Sequence, residues 1–407
     1  MKMLCLLALF GICGSVFARD QQAWIATWAS SPTGPATGGR MGPFTLPPPT
    51  TLKGTMRYRL RISQGGNQVR LRLSNEYGEK PLTVNAVTVG LAAAGLDAAS
   101  GSLKKATFGG REVATMPAGA PALSDPIDLK VTAFADLVVS VYLPEGTSVT
   151  LCPPSFPMVE QAGSEDSNAT NEAHLPAPKC TFFTRPIVSE VDVLGSTRDK
   201  VVVALGDSIT DGRIDPATGD RGWPAVLARR LDGREFSIVN AGIAGNRLLG
   251  SIPMLGAAAL ARLDRDALTV PGTKYIVLLE GINDIGASGP GTPFGDFPLA
   301  DPKALIAAYS QVIARAHERG IKVIGATMLP FEGAMVYTIE KEPIRAEVNQ
   351  WIRSSNSFDG IVDFDAAVRD STNPKKFDAA YDSGDHLHPN AAGYRKMGEA
   401  IDLKLFN

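Results

Sequence analysis

"VVVALGDSIT", residues 201–210, runs from five apolar residues into a Gly, an Asp and Ser208. An uninterrupted apolar run of this length, ended by glycine, is typical of a strand buried on both faces of a parallel sheet. The polar residues after it have two interpretations. Gly and Asp shape a turn and cap the following helix, and Ser208 is either one more turn residue or a nucleophile held at the end of the strand. The stretch alone favours the turn.

After residue 198, further apolar runs alternate with helical stretches. The apolar runs are KVVVALG, FSIVNAG, KYIVLLEG, IKVIGATMLP and GIVDFDAAV, and the helical stretches include WPAVLARRL, DPKALIAAYSQVIARAHERG and PIRAEVNQWIRS. Such alternation predicts an α/β fold with a parallel sheet covered by helices on both faces. Ligands of these sheets bind beyond the carboxyl ends of the strands. The Gly-Asp-Ser segment lies at one of those ends.

Residues 52–145 have a different period, in which apolar and polar residues alternate. The runs TMRYRLRIS and VRLRLS, separated by QGGN, predict a β-hairpin, and further short runs predict an antiparallel β-sandwich. The alternation places five arginines on one face: Arg57, Arg59, Arg61, Arg70 and Arg72. We interpret this stripe as a solvated face or a face packed on the neighbouring domain, with a groove for an acidic polymer as the alternative.

The length of 407 residues predicts two domains, and the near balance of 40 Lys plus Arg against 42 Asp plus Glu argues against nucleic-acid binding. Residues 1–18 have a basic start, a short apolar run and small residues at a cleavage position, which predicts a signal peptide and a secreted or periplasmic protein. A membrane anchor and a lipoprotein centred on Cys13 are weaker alternatives. A β-sandwich domain is expected over residues 19–195 and the α/β domain over residues 196–407.

Cleavage of the signal peptide would leave two cysteines, Cys152 and Cys180. An isolated pair in an exported protein suggests a disulfide, which would close a Pro-rich polar loop and contribute about 3 kcal/mol. Two buried free thiols are the alternative.

Four blocks of polar residues could supply a reaction. GDSIT, NAGIAGN and EGINDIG each follow an apolar run, and DSGDHLHPN precedes the last helix. Ester hydrolysis needs a nucleophile, a base, a carboxylate that orients the base, and donors for the oxyanion. Ser208, His388 and Asp385 are candidates for the first three. The Gly-x-Ser-x-Gly elbow of α/β-hydrolases fits less well, since Thr210 occupies the second glycine position. A metal site built on Asp385, His386 and His388 lacks further ligands.

These blocks resemble those of the SGNH hydrolases, also called the GDSL family, over residues 199–407. The resemblance implies a flavodoxin-like three-layer α/β/α domain that needs no cofactor and no metal. It also implies Ser208 as the nucleophile, His388 as the general base and Asp385 as its partner. The implied oxyanion hole consists of the backbone N–H groups of Ser208 and Gly245 and the side-chain amide of Asn283. His386 is expected to be a structural neighbour of this site.

The first half of the chain resembles bacterial SGNH proteins with an N-terminal β-sandwich, a subgroup associated with xylanase genes, on the stretches WIATWASSP and VRLRLSNEYGEKPLTV. This similarity implies an esterase that removes acetyl groups from plant polysaccharide such as xylan. The alternatives are a broad short-chain carboxylesterase, arylesterase or lipase, and an inactive carbohydrate-binding protein. The expected partner is a small ester or an acylated polysaccharide.

Overall fold

The computed structural model describes residues 21–35, 39–41, 44–46, 50–149, 160–164, 167–175, 180–181, 185, 187–290 and 298–407. The predicted signal peptide and Cys152 lie outside these residues, and so does the side chain of Cys180. The disulfide, the export of the protein and the two domain boundaries therefore stay predictions.

The first half of the chain is built from antiparallel strands. They are β1 (Gln22–Ala29), β2 (Gly39–Met41), β3 (Phe44–Leu46), β4 (Thr50–Arg61), β5 (Val69–Ser74), β6 (Leu82–Val84), β7 (Ala86–Leu91), β8 (Lys104–Lys105), β9 (Ala114–Met116), β10 (Pro121–Leu123), β11 (Asp136–Val149), β12 (Glu160–Ser164), β13 (Cys180–Thr181) and β14 (Val188–Ser196). One sheet has the order β1-β14-β5-β10 and a larger one the order β13-β12-β4-β11-β7-β8. This β-rich region agrees with the predicted sandwich.

The predicted hairpin of β4 and β5 is wrong, because the two strands belong to different sheets. β4 pairs with β11 and β12, whereas β5 pairs with β14 and β10. The QGGN segment therefore carries the chain from one sheet to the other. Alternation fixes which side chains of a strand share a face but does not identify the strand's partner.

The five arginines are correspondingly divided between the two sheets, and each of them bonds to other groups of the protein. Arg59 and Arg61 bond to Asp136, and each arginine of β5 pairs with a carboxylate of β14: Arg70–Asp192 at 2.7 Å and Arg72–Glu190 at 2.9 Å. The groove for an acidic polymer is not supported, since these cations are already neutralised.

Arg57 departs furthest from the expectation of a wet face, because it is completely buried. Its Nε donates to Ser140 Oγ at 2.7 Å, and its terminal nitrogens donate to the carbonyls of Ala173 at 3.0 Å and Glu172 at 2.6 Å. The segment of residues 167–175 thus lies over this part of β4 and is held there by this guanidinium together with the hydroxyls of Thr55 and Thr88.

The second half contains a five-stranded parallel sheet. Its strands are β15 (Lys200–Gly206), β16 (Phe236–Gly242), β17 (Thr273–Leu279), β18 (Lys322–Ala326) and β19 (Gly360–Val362). The spatial order β16-β15-β17-β18-β19 is the flavodoxin-like order 2-1-3-4-5. Residues 201–205 are fully buried, as expected for a central strand covered on both faces. The predicted fold class is confirmed.

Helices cover both faces of this sheet. They are α1 (Ser208–Asp211), α2 (Gly222–Arg230), α3 (Ala259–Leu263), α4 (Ile282–Gly286), α5 (Pro302–His317), α6 (Glu342–Ser354), α7 (Phe364–Val368) and α8 (Ala391–Ala400), with short 3₁₀ turns at Pro253–Leu255 and Leu403–Phe406 and a π turn at Asp264–Leu268. Trp223 of α2 packs on Phe364 of α7, and Tyr309 of α5 stacks on Trp351 of α6. None of the helices in the described part of the chain has the length and apolar character needed to cross a bilayer.

The two halves are joined at the edge strand β16. Ser237 Oγ donates to the carbonyl of Ala26 in β1 at 2.6 Å, and Ser63 Oγ accepts from the backbone N–H of Ile238 at 3.0 Å. The buried apolar side chains of both halves form one continuous cluster. Polar groups of the first half therefore protect an edge that would otherwise expose unpaired backbone.

The buried role of Arg57 can be tested by Arg57→Ala. The substitution should lower the free energy of unfolding by about 3 kcal/mol, since it leaves several buried carbonyls and Ser140 without a donor. Lys105→Ala is the control, because that exposed lysine pairs with exposed Glu112 and its substitution should change stability by less than about 0.5 kcal/mol. Urea unfolding followed by circular dichroism measures both; equal effects would refute the assignment.

Candidate active site

Ser208 is the first residue of α1, directly beyond the end of β15. Asp207 caps this helix, and its Oδ1 accepts from the backbone N–H of Ile209 at 2.8 Å. Gly206 is required before it, because a Cβ there would lie 2.2 Å from Thr210 Oγ1 and 2.5 Å from the carbonyl oxygen of Leu279. The turn interpretation of Gly and Asp is thus correct, and the same turn presents the hydroxyl of Ser208.

The loop before α8 brings His388 to this serine. The distance between His388 Nε2 and Ser208 Oγ is 2.8 Å, and the distance between His388 Nδ1 and Asp385 Oδ2 is also 2.8 Å. Asp385 Oδ1 accepts from the backbone N–H groups of Leu387 at 3.0 Å and His388 at 2.8 Å. Serine, imidazole and carboxylate therefore form one hydrogen-bonded chain, assembled from residues 180 positions apart.

The electrostatics around Asp385 favour its ionised form. Burial raises the pKa of Asp385, but the hydrogen bond and charge of His388 and the two backbone donors outweigh it and hold that pKa well below its usual range. Asn390 fixes the loop from its far end, since its side chain caps α8 and donates to the carbonyls of Ala380 at 2.9 Å and Asp382 at 3.0 Å.

The predicted oxyanion residues lie at the ends of the strands that flank β15. Gly245 follows β16 in a left-handed conformation with φ of 77°, and a Cβ on it would collide with Leu255, 2.9 Å away. Asn283 stands in the first turn of α4 after β17, and its amide donates to the carbonyl of Asn246 at 2.9 Å. One of its two N–H donors is thus used to orient the amide beside Gly245.

A buried arginine that the sequence interpretation missed holds these strand ends together. Arg262 of α3 donates to the carbonyls of Gly206 at 3.0 Å and Ala241 at 2.7 Å, and to Asn246 Oδ1 at 2.9 Å. It also pairs with Asp266 at 3.0 Å. The neighbouring sequence LARLDRD gives no local signal for this role, although Asn246 closes the block GIAGN.

Two buried carboxyl groups lie beneath the serine. Asp207 Oδ2 and Glu280 Oε1 have no hydrogen-bond partner among the described residues. Burial raises the pKa of Asp207 to about 7, and burial together with the Asp207 charge raises the pKa of Glu280 well above its usual range. A proton is therefore retained in this region at pH values where exposed carboxyls are ionised.

The other histidines do not reach the serine. His174 bonds to Asp97, His317 at the end of α5 bonds to Asp359, and His386 Nδ1 bonds to Asp382. No group of three candidate metal ligands occurs in the described part of the chain, so the metal interpretation of Asp385, His386 and His388 has no support there.

The sequence model of the GDSL-like lipase/acylhydrolase family matches residues 204–396. Over this range, which is slightly less than half of the chain, the protein is a GDSL-like lipase/acylhydrolase domain. This match supports an ester hydrolase rather than an inactive carbohydrate-binding protein. The described blocks around Ser208, Gly245, Asn283 and His388 all lie within the matched range.

Solved structures similar to the GDSL-like domain cover about half of this chain. A GDSL-like lipase from Bacteroides thetaiotaomicron is 19% identical and covers 52% of this chain and 90% of its own, with a TM-score of 0.38. A member of the lipolytic G-D-S-L family from Veillonella parvula is 21% identical and covers 49% and 95%, with a TM-score of 0.35. An acetyl xylan esterase is 21% identical and covers 49% and 96%, with a TM-score of 0.36. No curated protein sequence gives a match.

The buried proton beneath the site predicts a pH-dependent effect of Asp207→Asn. Because the pKa of Asp207 is about 7 in the folded protein and close to 3.8 when unfolded, this group costs the folded state increasing free energy as the pH rises from about 4 to 7. Asparagine cannot ionise and keeps the acceptor for Ile209. The variant should therefore gain stability relative to the parent as the pH rises, by at least about 1 kcal/mol between pH 5 and pH 8.

Thermal unfolding at the two pH values measures this difference. Asp232→Asn is the matched control, since Asp232 is exposed and its substitution should give the same small change at both pH values. A parallel response of the two variants would contradict the assignment.

Proposed function

We propose that the GDSL-like domain hydrolyses carboxylic esters through an acyl-enzyme on Ser208. The observation that carries the proposal is the unbroken chain from Ser208 Oγ through His388 to Asp385, with 2.8 Å at both hydrogen bonds. His388 Nε2 takes the proton of Ser208 as Oγ attacks the carbonyl carbon, and then gives it to the departing alcohol as the ester C–O bond breaks. Water, deprotonated by His388, next attacks the acyl carbon. The bond from that carbon to Ser208 Oγ breaks as His388 returns the proton to Oγ, and the acid is released.

The oxyanion formed in both steps would be stabilised by neutral donors. The backbone N–H groups of Ser208 and Gly245 and the side-chain amide of Asn283 are the candidates, and they follow three adjacent strands. Neutral donors stabilise the developing charge without protonating it. The hydrogen bond between Asn283 and the Asn246 carbonyl supports this role, because it fixes the amide before substrate arrives.

We infer acetyl esters of plant polysaccharide as the first substrate class. The side of the site around the base is polar and open, since the side chains of His386, Asp385 and Arg213 are 51%, 43% and 32% exposed. Such a surface suits a polyhydroxylated alcohol group that stays partly in solvent. The resemblance of the first half to xylanase-associated esterases supports the same class, and export by the predicted signal peptide would bring the enzyme to such a substrate.

A second candidate class, esters with longer acyl chains, is favoured by exposed apolar side chains on the loop between β18 and α6. Met335 and Ile339 are 58% and 70% exposed. Their loop runs from the ring of His386, against which Gly333 lies, to the end of α4, where Val336 contacts Gly286. Exposed apolar side chains on a loop that reaches His386 can bury an acyl chain.

The proposed nucleophile is tested by Ser208→Ala, which should reduce hydrolysis of p-nitrophenyl acetate by at least about 10⁴-fold. Asn283→Ala should reduce kcat by on the order of 100-fold to 1000-fold, as expected for loss of one oxyanion donor. Ser310→Ala, an exposed serine on α5, is the matched control and should retain full activity. Undiminished activity of Ser208→Ala would refute the proposal.

The substrate classes are separated by comparing acetate release from acetylated xylan with hydrolysis of p-nitrophenyl acetate and octanoate. The acetyl-ester proposal predicts release from xylan and a preference for acetate. Ile339→Ser should leave these activities intact and reduce octanoate hydrolysis only if the second class is correct, by roughly 10-fold, because serine offers the acyl chain much less apolar surface than isoleucine. Val113→Ser, at an exposed position of the first half, is the control.

A further inference from the structure

Arg213 contacts the carboxylate that orients the base. Its terminal nitrogen donates to Asp385 Oδ2 at 3.1 Å, and the same oxygen accepts from His388 Nδ1 at 2.8 Å. The side chain of Asp385 is 43% exposed and that of Arg213 is 32% exposed, so both side chains reach solvent. Two backbone N–H groups already hold Oδ1 of this carboxylate, so Arg213 is the additional side-chain donor to Oδ2, the oxygen that bonds His388.

The segment that carries Arg213 is a closed loop between α1 and α2, here called the arginine loop (residues 213–221). Its base is closed by the hydrogen bond from Gly222 N–H to the carbonyl of Arg213 at 3.1 Å. Arg221 fixes the same base, since its Nε donates to the carbonyl of Asp211 at 2.6 Å. The backbone at Arg213 is therefore set by the loop rather than by a helix or strand.

The tip of the arginine loop is attached to the antiparallel half of the chain. Arg61 of β4 donates to the carbonyl of Thr218 at 2.9 Å and to Asp220 Oδ1 at 3.1 Å. Arg61 is itself fixed by Asp136, with its Nε 2.9 Å from Oδ1. A continuous path of hydrogen bonds and one short loop thus connects the first half of the chain to Asp385.

We propose that Arg213 is a positioning residue that holds Asp385 for His388, and that Arg61 of the antiparallel half supports the loop from which it acts. This inference rests on the proposed ester hydrolysis at Ser208. The first half of the chain thereby helps to fix the position of His388, whether or not it contacts substrate itself.

The charge of Arg213 also affects the base. A cation bonded to Asp385 weakens the attraction of that carboxylate for the imidazolium form of His388. Removing the cation should stabilise imidazolium, so that a higher pH is needed to obtain the neutral base. The other ionisable side chains on the surrounding segments are Asp382 and His386 on the same loop, Asp207 and Asp211 beside the serine, Asp284 on α4, Asp215, Asp220 and Arg221 on the arginine loop, and Tyr394, Arg395, Lys396 and Glu399 on α8. All of them are present in both parent and variant.

The test is the pH dependence of kcat/KM for Arg213→Gln with p-nitrophenyl acetate. The acidic limb of the profile should move to higher pH by about half a unit or more, and kcat at the optimum should fall roughly 10-fold. Arg213→Lys keeps the charge but not the planar donor group, so its acidic limb should stay near that of the parent while kcat recovers only in part. A purely structural role would lower activity without moving the limb, and an unmoved limb in Arg213→Gln overturns the inference.

The support from the first half is tested by Arg61→Gln. It should move the acidic limb in the same direction as Arg213→Gln by a smaller amount. Arg59→Gln is the matched control, because Arg59 lies on the same strand and shares Asp136 but directs its other donors to the carbonyls of Ala93 and Gly95. An Arg61→Gln profile identical to that of Arg59→Gln overturns the part assigned to Arg61. If Ser208→Ala is as active as the parent, the proposed function itself has failed, which is a separate outcome.

Discussion

The buried guanidinium of Arg262 is the interaction on which the site depends. It joins the carbonyl at the end of β15, the carbonyl at the end of β16 and the side chain of Asn246, and through Asn246 it reaches the amide of Asn283. Burying a cation is costly unless its donors are satisfied. Here the donors find backbone acceptors whose positions define the turns after the strands. The proposed nucleophile and the proposed oxyanion residues are consequently tied to one rigid group instead of to three independent loops.

The sequence predicted the parallel sheet because that sheet depends on a local pattern, and the proposed site residues likewise come from short local blocks. Buried strands read as continuous apolar runs, and Asp385 and His388 are three residues apart on one loop. The long-range contacts of Arg262 and Arg213 correspond to no such local pattern in the sequence. Arg262 contacts Gly206 across 56 residues and Arg213 contacts Asp385 across 172. The prediction of a hairpin of β4 and β5 was wrong for the same reason. Alternation shows which side chains share a face of a strand, whereas the strands that pair with β4 and β5 include β11, β12 and β14, which lie far along the chain.

Every histidine of the chain bonds to an aspartate, so an Asp–His pair alone does not identify the proposed base. His174, His317 and His386 each bond to a carboxylate, as His388 does. What distinguishes His388 is its second nitrogen, which is 2.8 Å from a serine held at a strand end. The decisive information is therefore where the sheet places the hydroxyl, and this depends on Gly206 and the turn after β15.

The antiparallel half supports the loops of the hydrolase half at several points and is more than an appended module. Arg185 bonds to Asp211 at 2.7 Å, and the same Asp211 oxygen accepts from Ala244 N–H, directly before Gly245. Tyr77 accepts from the backbone N–H of Ala257, close to the Leu255 side chain that packs on Gly245. Contacts from the first half thus restrict the segment around Gly245, and the arginine loop restricts Asp385. Removing that half would expose the edge strand β16 and also free the loops that carry the site, so loss of activity on truncation is the consequence expected from the contacts themselves.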